Sequence, residues 1–199
     1  MKYFLPGVTI LLILTCNKNG INDSLLEDME AVEGIYTLTS FTHNENACVT
    51  GTEILADQEY RYIVLTAQDY SPFGIYLFAQ LCENVEECST VYHQIKSKEM
   101  GFMYGEQIAS FHTGSASEGF YSKMVTTGMT GNNECSGAHA SDIHMNFTGT
   151  SFTIDEKISY ADTFPVDEEG YCTTDTTLKY LNDCSEMKTY SADFLQSVE

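Results

Sequence analysis

The chain has 199 residues, with 29 acidic side chains against 9 basic ones and a formal net charge of −20. A surface of that sign repels phosphate backbones and anionic headgroups, which argues against nucleic-acid binding and for a strongly solvated, salt-tolerant particle or one with a cationic partner. With 43% hydrophobic residues and thirteen tyrosines the chain is too apolar for disorder, and its length suits one domain with a sizeable core.

The chain opens with Lys2 and an apolar run from Tyr3 to Leu14, too short for a membrane span of about 20 residues and right for a signal-peptide hydrophobic region. The run ends in Ile13-Leu14-Thr15-Cys16, which resembles a bacterial lipobox. The resemblance implies removal of residues 1–15, a diacylated Cys16 and an envelope location, with Asn17 after the cysteine favouring the outer membrane. The alternative is an ordinary secretory signal and a soluble, secreted product. Seven cysteines stand at 16, 48, 82, 88, 135, 172 and 184. Lipidating Cys16 leaves six, an even set for three disulfides in an oxidising compartment. Residues 16–32 are polar with a Leu pair and read as a tether with a helical turn towards Val32; residues 33–199 read as the domain.

From Gly34 the pattern turns to β. Eight strands are predicted, at Gly34–Thr42, Tyr60–Ala67, Phe73–Leu81, Phe102–His112, Phe120–Met129, His139–Phe147, Ser151–Ala161 and Glu186–Leu195. Clean alternation sets Ile143, Met145 and Phe147 against Asp142, His144 and Asn146, and Phe152, Ile154, Ile158 and Tyr160 against Thr153, Asp155, Lys157 and Ser159. A helix is expected over Val85–Lys98 and a helical turn over Asp175–Leu181. Most links are of hairpin type, so the expected fold is all-β: an eight-stranded antiparallel up-and-down barrel, whose closure removes the sheet edges.

Gly34-Ile35-Tyr36, followed by Thr37-Leu38-Thr39-Ser40, is similar to the Gly-x-Trp that begins the first strand of lipocalins, and to small lipocalin-like bacterial lipoproteins. The resemblance implies a cup for a small apolar ligand. Tyr36 replaces the family's Trp, and Asp69-Tyr70 matches its Thr-Asp-Tyr motif in a different loop.

No Gly-x-Ser-x-Gly, phosphate-binding loop or His-Glu-x-x-His occurs, so no catalytic residue, enzymatic activity, cofactor or metal is expected. His139, Asp142 and His144 come nearest to a metal set, but two strand-spaced ligands are weak without a third. Asp162 to Glu169 lacks the Asp-x-Asp-x-Asp-Gly order of a calcium loop, and the sequons at Asn22 and Asn146 read as chance. Two function classes remain: a membrane-anchored module binding a small apolar or amphipathic ligand, and a surface or assembly protein with a filled barrel that works through its acidic exterior or loops. Nothing in the residues sets an oligomeric state.

In an up-and-down barrel alternate connections share an end. Connections one, three, five and seven carry Cys48, Cys82 and Cys88, Cys135, and Cys172 and Cys184, so these six should gather at the end away from the tether. The expected pairs are Cys82 with Cys88, Cys172 with Cys184, and Cys48 with Cys135. The first requires a late helix start, because six helical residues rise about 9 Å, beyond the disulfide limit near 7 Å. Three staples on the long loops suggest a rigid rim that presents the recognition surface.

Overall fold

The computed structural model describes residues 18–46, 51–55, 59–71, 73–97, 106–131, 133–182 and 184–198. Runs of β-branched and aromatic residues form strands, and alternation along them decides which side chains turn inward. In chain order the elements are α1 (Lys18–Glu30), β1 (Gly34–Asn44), β2 (Thr52–Glu53), β3 (Tyr62–Asp69), β4 (Ile75–Cys82), α2 (Val85–Ser97), β5 (Glu106–Phe111) and β6 (Thr113–Ser115). There follow β7 (Gly119–Thr126), β8 (Met129–Gly131), β9 (Glu134–Ser136), β10 (His139–Thr148), β11 (Ser151–Tyr160), β12 (Phe164–Pro165), α3 (Thr174–Tyr180) and β13 (Glu186–Gln196).

The main sheet runs β5-β4-β3-β1-β13-β11-β10-β7-β6, with β2 laid against the end of β1. The first strand pairs with both the second long strand and the last, as closure in sequence order requires: Tyr36 stands opposite Ile63 on one side and Phe194 on the other. Within the expected fourth strand, β5 pairs with β4, and the stretch after it, expected as a hairpin loop over Thr113–Gly119, contains a further short strand, β6, which pairs with β7, so the antiparallel barrel is nearly closed. The sheet therefore has nine strands along its path, and ten with β2, rather than the eight expected. The additional strand lies beside a tight corner. A Cβ on Gly114 would fall 2.2 Å from the Gly119 carbonyl oxygen, and one on Gly119 2.3 Å from that of Met145, so only glycine lets this hairpin close against β10.

Inward-facing Ile63, Leu65, Leu77, Phe111, Phe120, Met145, Phe152 and Ile154 are each less than 2% exposed or close to it and form one cluster. Side chains lining a void large enough for water would keep accessible surface, so at this level the barrel is filled. Its end nearest Gly34 is corked. The stretch 16–32, expected as a tether, is helical over Lys18–Glu30, with Met29 wholly buried and Leu25 and Leu26 packed on the core. Leu25, Leu26, Met29 and Val32 share one helical face, and the Tyr36 hydroxyl donates to the Val32 carbonyl at 2.8 Å. The folded unit thus includes this helix.

Outside the barrel, α2 buries Cys88 and Val91 against Ile35, Val64 and Cys82. It begins after Cys82, which leaves the Cys82 and Cys88 Cα atoms 5.4 Å apart and disulfide-bonded. Its far end is held by Glu33, which takes Lys96 at 2.7 Å, the Tyr92 hydroxyl at 3.1 Å and the Ala67 amide at 2.6 Å.

The long excursion before β13 and the β8–β9 hairpin build a second, three-stranded sheet, β12-β9-β8. Phe164 pairs opposite Cys135, and Cys135 bonds Cys172. This corrects the expected pairs Cys172–Cys184 and Cys48–Cys135: strand pairing between distant loops, not proximity in sequence, chose the partners. Loop-closure entropy across the 37-residue separation stabilises by about 4 kcal/mol, and across the shorter Cys82–Cys88 loop by about 2 kcal/mol. Cys184 is also disulfide-bonded. With the other four described cysteines paired, its partner lies outside the described residues, as do Cys16 and Cys48. All five described cysteines sit at the end of the barrel opposite α1.

Candidate functional site

Alternation that fills the corked half with apolar side chains turns polar at the cysteine end. On β11, Glu156 takes the inward phase between Ile154 and Ile158; on β13, Glu186 and Lys188 precede Tyr190. On β10, Ser141 precedes Ile143, and opposite them on β7 stand Met124 and Ser122. On β1, His43 follows Phe41, and on β5, Glu106 stands opposite Leu81. The strands' regular geometry thus aims these groups at the barrel mouth.

They form a network. Glu186 takes the Tyr160 hydroxyl at 2.8 Å on one oxygen and His43 Nε2 at 2.8 Å on the other. Lys188 Nζ lies 3.4 Å from Glu186 and 3.8 Å from Glu156, whose other oxygen accepts the Ser141 hydroxyl at 2.9 Å. The Glu156 and Glu186 side chains each keep 15% of their surface and Lys188 keeps 27%, so the network is open to solvent. Burial works against ionising Glu186, but the bonds from Tyr160 and His43 and the Lys188 charge outweigh it and hold the carboxyl below its usual range. That stabilisation is present above the ordinary pKa and is lost as pH falls through the lowered one.

Tyr190 forms the floor. It is 6% exposed and stacks on Phe41 with ring centroids 4.5 Å apart. Burial first, then the charges of Glu156, Glu106 and Glu186, raise its pKa. Beside it Met124 is 56% exposed although it sits in the inward phase, which marks where the filling ends. At the rim, His43, Asn44, Glu45, Asn46, Gly51 and Thr52 line an open polar hollow of 510 Å³.

The histidine and aspartate candidates do not converge. Asp142 and His144 bond each other at 2.9 Å on the outer face, whereas His139 faces the other way, with Nε2 3.3 Å from the Thr126 hydroxyl. Among the described residues no group of three or more His, Cys, Asp or Glu could hold a metal. In the acidic excursion, Asp167 accepts the amides of Glu169 and Tyr171, so that carboxylate is used in shaping its own turn. The inward ring was missed by sequence reasoning, although a signal existed: Glu156 interrupts the apolar phase of the clearest hairpin.

Comparison of the chain with protein-family models, with curated proteins and with solved structures found no match.

Proposed function

We propose that this chain is an exported, lipid-anchored binding protein that holds a small amphipathic ligand at the disulfide-stapled mouth of its barrel and carries out no catalysis. The observation that carries the reading is the ring of inward-facing polar side chains standing over Tyr190 and Met124, above a filled apolar half. A small barrel interior either is filled by side chains or holds one ligand; here the filling stops short of the mouth. The site is shallow and polar-rimmed, so of the apolar and amphipathic ligands expected it suits the amphipathic kind better.

The disulfides are compatible with an extracytoplasmic location. Lipidation of Cys16 would leave an even set of six cysteines, which supports an anchored envelope protein, and Asn17 after it favours the outer membrane. Cys16→Ser is then expected to move the protein out of the membrane fraction; unchanged fractionation would remove the anchor from the account. The second reading, a surface protein with a filled barrel that acts through its acidic exterior, draws on the corked and filled half. Native mass spectrometry of protein from its own host separates the two. A retained small molecule supports the binding reading, and the mass of the lipidated chain alone favours the second.

A further inference from the structure

We propose that the tip of the β3–β4 hairpin is a lipid contact, with Phe73 inserted into the headgroup boundary of the membrane that carries the chain. The inference rests on the lipid anchor proposed above and names the surface that the anchor brings to the bilayer. Its first ground is where charge is missing. A chain with 29 acidic residues has a single charged side chain, Asp69, between Tyr62 and Cys82. That carboxylate is engaged inside the turn, where it accepts the Ser71 amide at 2.8 Å and the Ser71 hydroxyl at 2.6 Å. The second ground is the ring itself. Phe73 is 84% exposed, yet its backbone is firmly held: its amide donates to the Tyr70 carbonyl at 2.8 Å and its carbonyl accepts the Tyr76 hydroxyl at 3.2 Å. The Tyr70 amide closes the turn on the Gly74 carbonyl at 2.8 Å, and the Tyr70 and Tyr76 rings meet edge-on at 6.2 Å.

A single exposed apolar residue is ordinary on a protein surface. A ring held in water by a bonded turn, beside two tyrosines and away from charge, has instead the make-up of the aromatic belts at membrane interfaces, where ring bodies sit in the apolar layer and hydroxyls stay wet. Position is the third ground. β3 runs on to Asp69 past Leu65, the residue opposite Gly34, so the hairpin projects beyond the start of β1 at the corked end. There α1 packs on it, with Leu25, Leu26 and Met29 in one cluster with Ala67, Ile75 and Leu77. Cys16 stands two residues before Lys18, where α1 begins, so a lipid on that cysteine tethers the chain through the very helix that covers this end. Phe194 and Leu195, 40% and 45% exposed, end β13 on the same side. Glu27 and Glu30 of α1 are exposed as well. Their charge repels anionic headgroups, which confines the contact to the hairpin and to lipids without net charge.

The chain has no tryptophan, so one introduced indole reports alone. Phe73→Trp and, at the cysteine end, Tyr171→Trp replace rings that are 84% and 63% exposed, and neither disturbs the core. Each variant, expressed in its own host, is reconstituted into vesicles of phosphatidylcholine and phosphatidylethanolamine, with and without bromine on the acyl chains. The expected result is that Phe73→Trp emission shifts to shorter wavelength, is quenched by the brominated lipid and is shielded from acrylamide in the water. Tyr171→Trp should show the reverse, quenched by acrylamide and indifferent to bromine. If the chain floats with the vesicles but the two indoles behave alike, or Tyr171→Trp is the one quenched by lipid, the contact is overturned and the anchor stands. Shielding of Phe73→Trp in native membranes but not in these protein-free vesicles also overturns it, in favour of a protein partner. A chain that does not float with the vesicles overturns both the contact and the anchor.

Discussion

Raising the pH from about 10 to about 12 is expected to cost this protein several kcal/mol of stability, through tyrosines it buries as neutral phenols. Tyr36 is 4% exposed, donates its hydroxyl to the Val32 carbonyl, and has its pKa pushed by burial from 10.0 up to about 12. A group whose folded pKa lies above its unfolded value contributes stability that is whole below the unfolded pKa and is lost as pH rises through the folded one. At about 1.4 kcal/mol per pH unit between the two pKa values, Tyr36 alone forfeits about 2 kcal/mol by pH 12. Tyr92, also held up to about 12 by burial and then by Glu33, and Tyr190, raised by burial and then by three carboxylates, act in the same direction. Against a typical total of about 5 to 15 kcal/mol the loss is large. Urea unfolding followed from pH 8 to 11.5 measures it. Tyr36→Phe should lose about 1 kcal/mol at pH 8 with the hydrogen bond and then fall less steeply. A midpoint unchanged to pH 11.5 would contradict the buried placement of these rings.

Phe152→Ala is expected to destabilise by about 3 to 5 kcal/mol, the range for deleting a buried aromatic ring. The ring is 2% exposed on the inward face of β11, edge-on to Tyr36 at 4.7 Å and to Phe147 at 5.7 Å. Each such pair adds about 0.5 to 1.5 kcal/mol to the area buried. Tyr36 in turn holds the end of α1, so the substitution should also loosen the cork. Phe73→Ala makes the contrast: that ring is 84% exposed, and its loss should change stability by no more than about 0.5 kcal/mol. Chemical denaturation of the two variants reads both numbers. A loss below about 1 kcal/mol for Phe152→Ala would mean that the barrel is not filled at this level.

What the sequence disclosed was local periodicity, and what it hid was contact between distant segments. The eight long strands, their order and the gathering of the described cysteines at one end follow from alternation, turn residues and parity. The Cys82–Cys88 bond follows from a length argument that forces α2 to begin after Cys82. Cys135 with Cys172 needed the pairing of Phe164 with Cys135, which two-residue strands do not announce. The cork was half visible. Leu25, Leu26, Met29 and Val32 have helical spacing, yet the polar residues around them read as a tether, and nothing local says that a barrel end awaits Met29. The charged mouth was hidden for the opposite reason, since Glu156, Glu186 and Lys188 look like surface residues until closure of the sheet turns their strand face inward.

The central claim is that the interior is filled from α1 up to Tyr190 and receives a ligand only above it. Methionine methyl NMR tests this most directly, because the methionines mark depth: Met29 and Met145 are wholly buried, in the cork and in the filled core, whereas Met124 faces the mouth and is 56% exposed. On titration with a small amphipathic probe, n-hexanol, the Met124 methyl should shift with saturation, and those of Met29 and Met145 should stay in place. Saturating shifts at Met29 or Met145 with Met124 unmoved would place the ligand in the corked half and contradict the account.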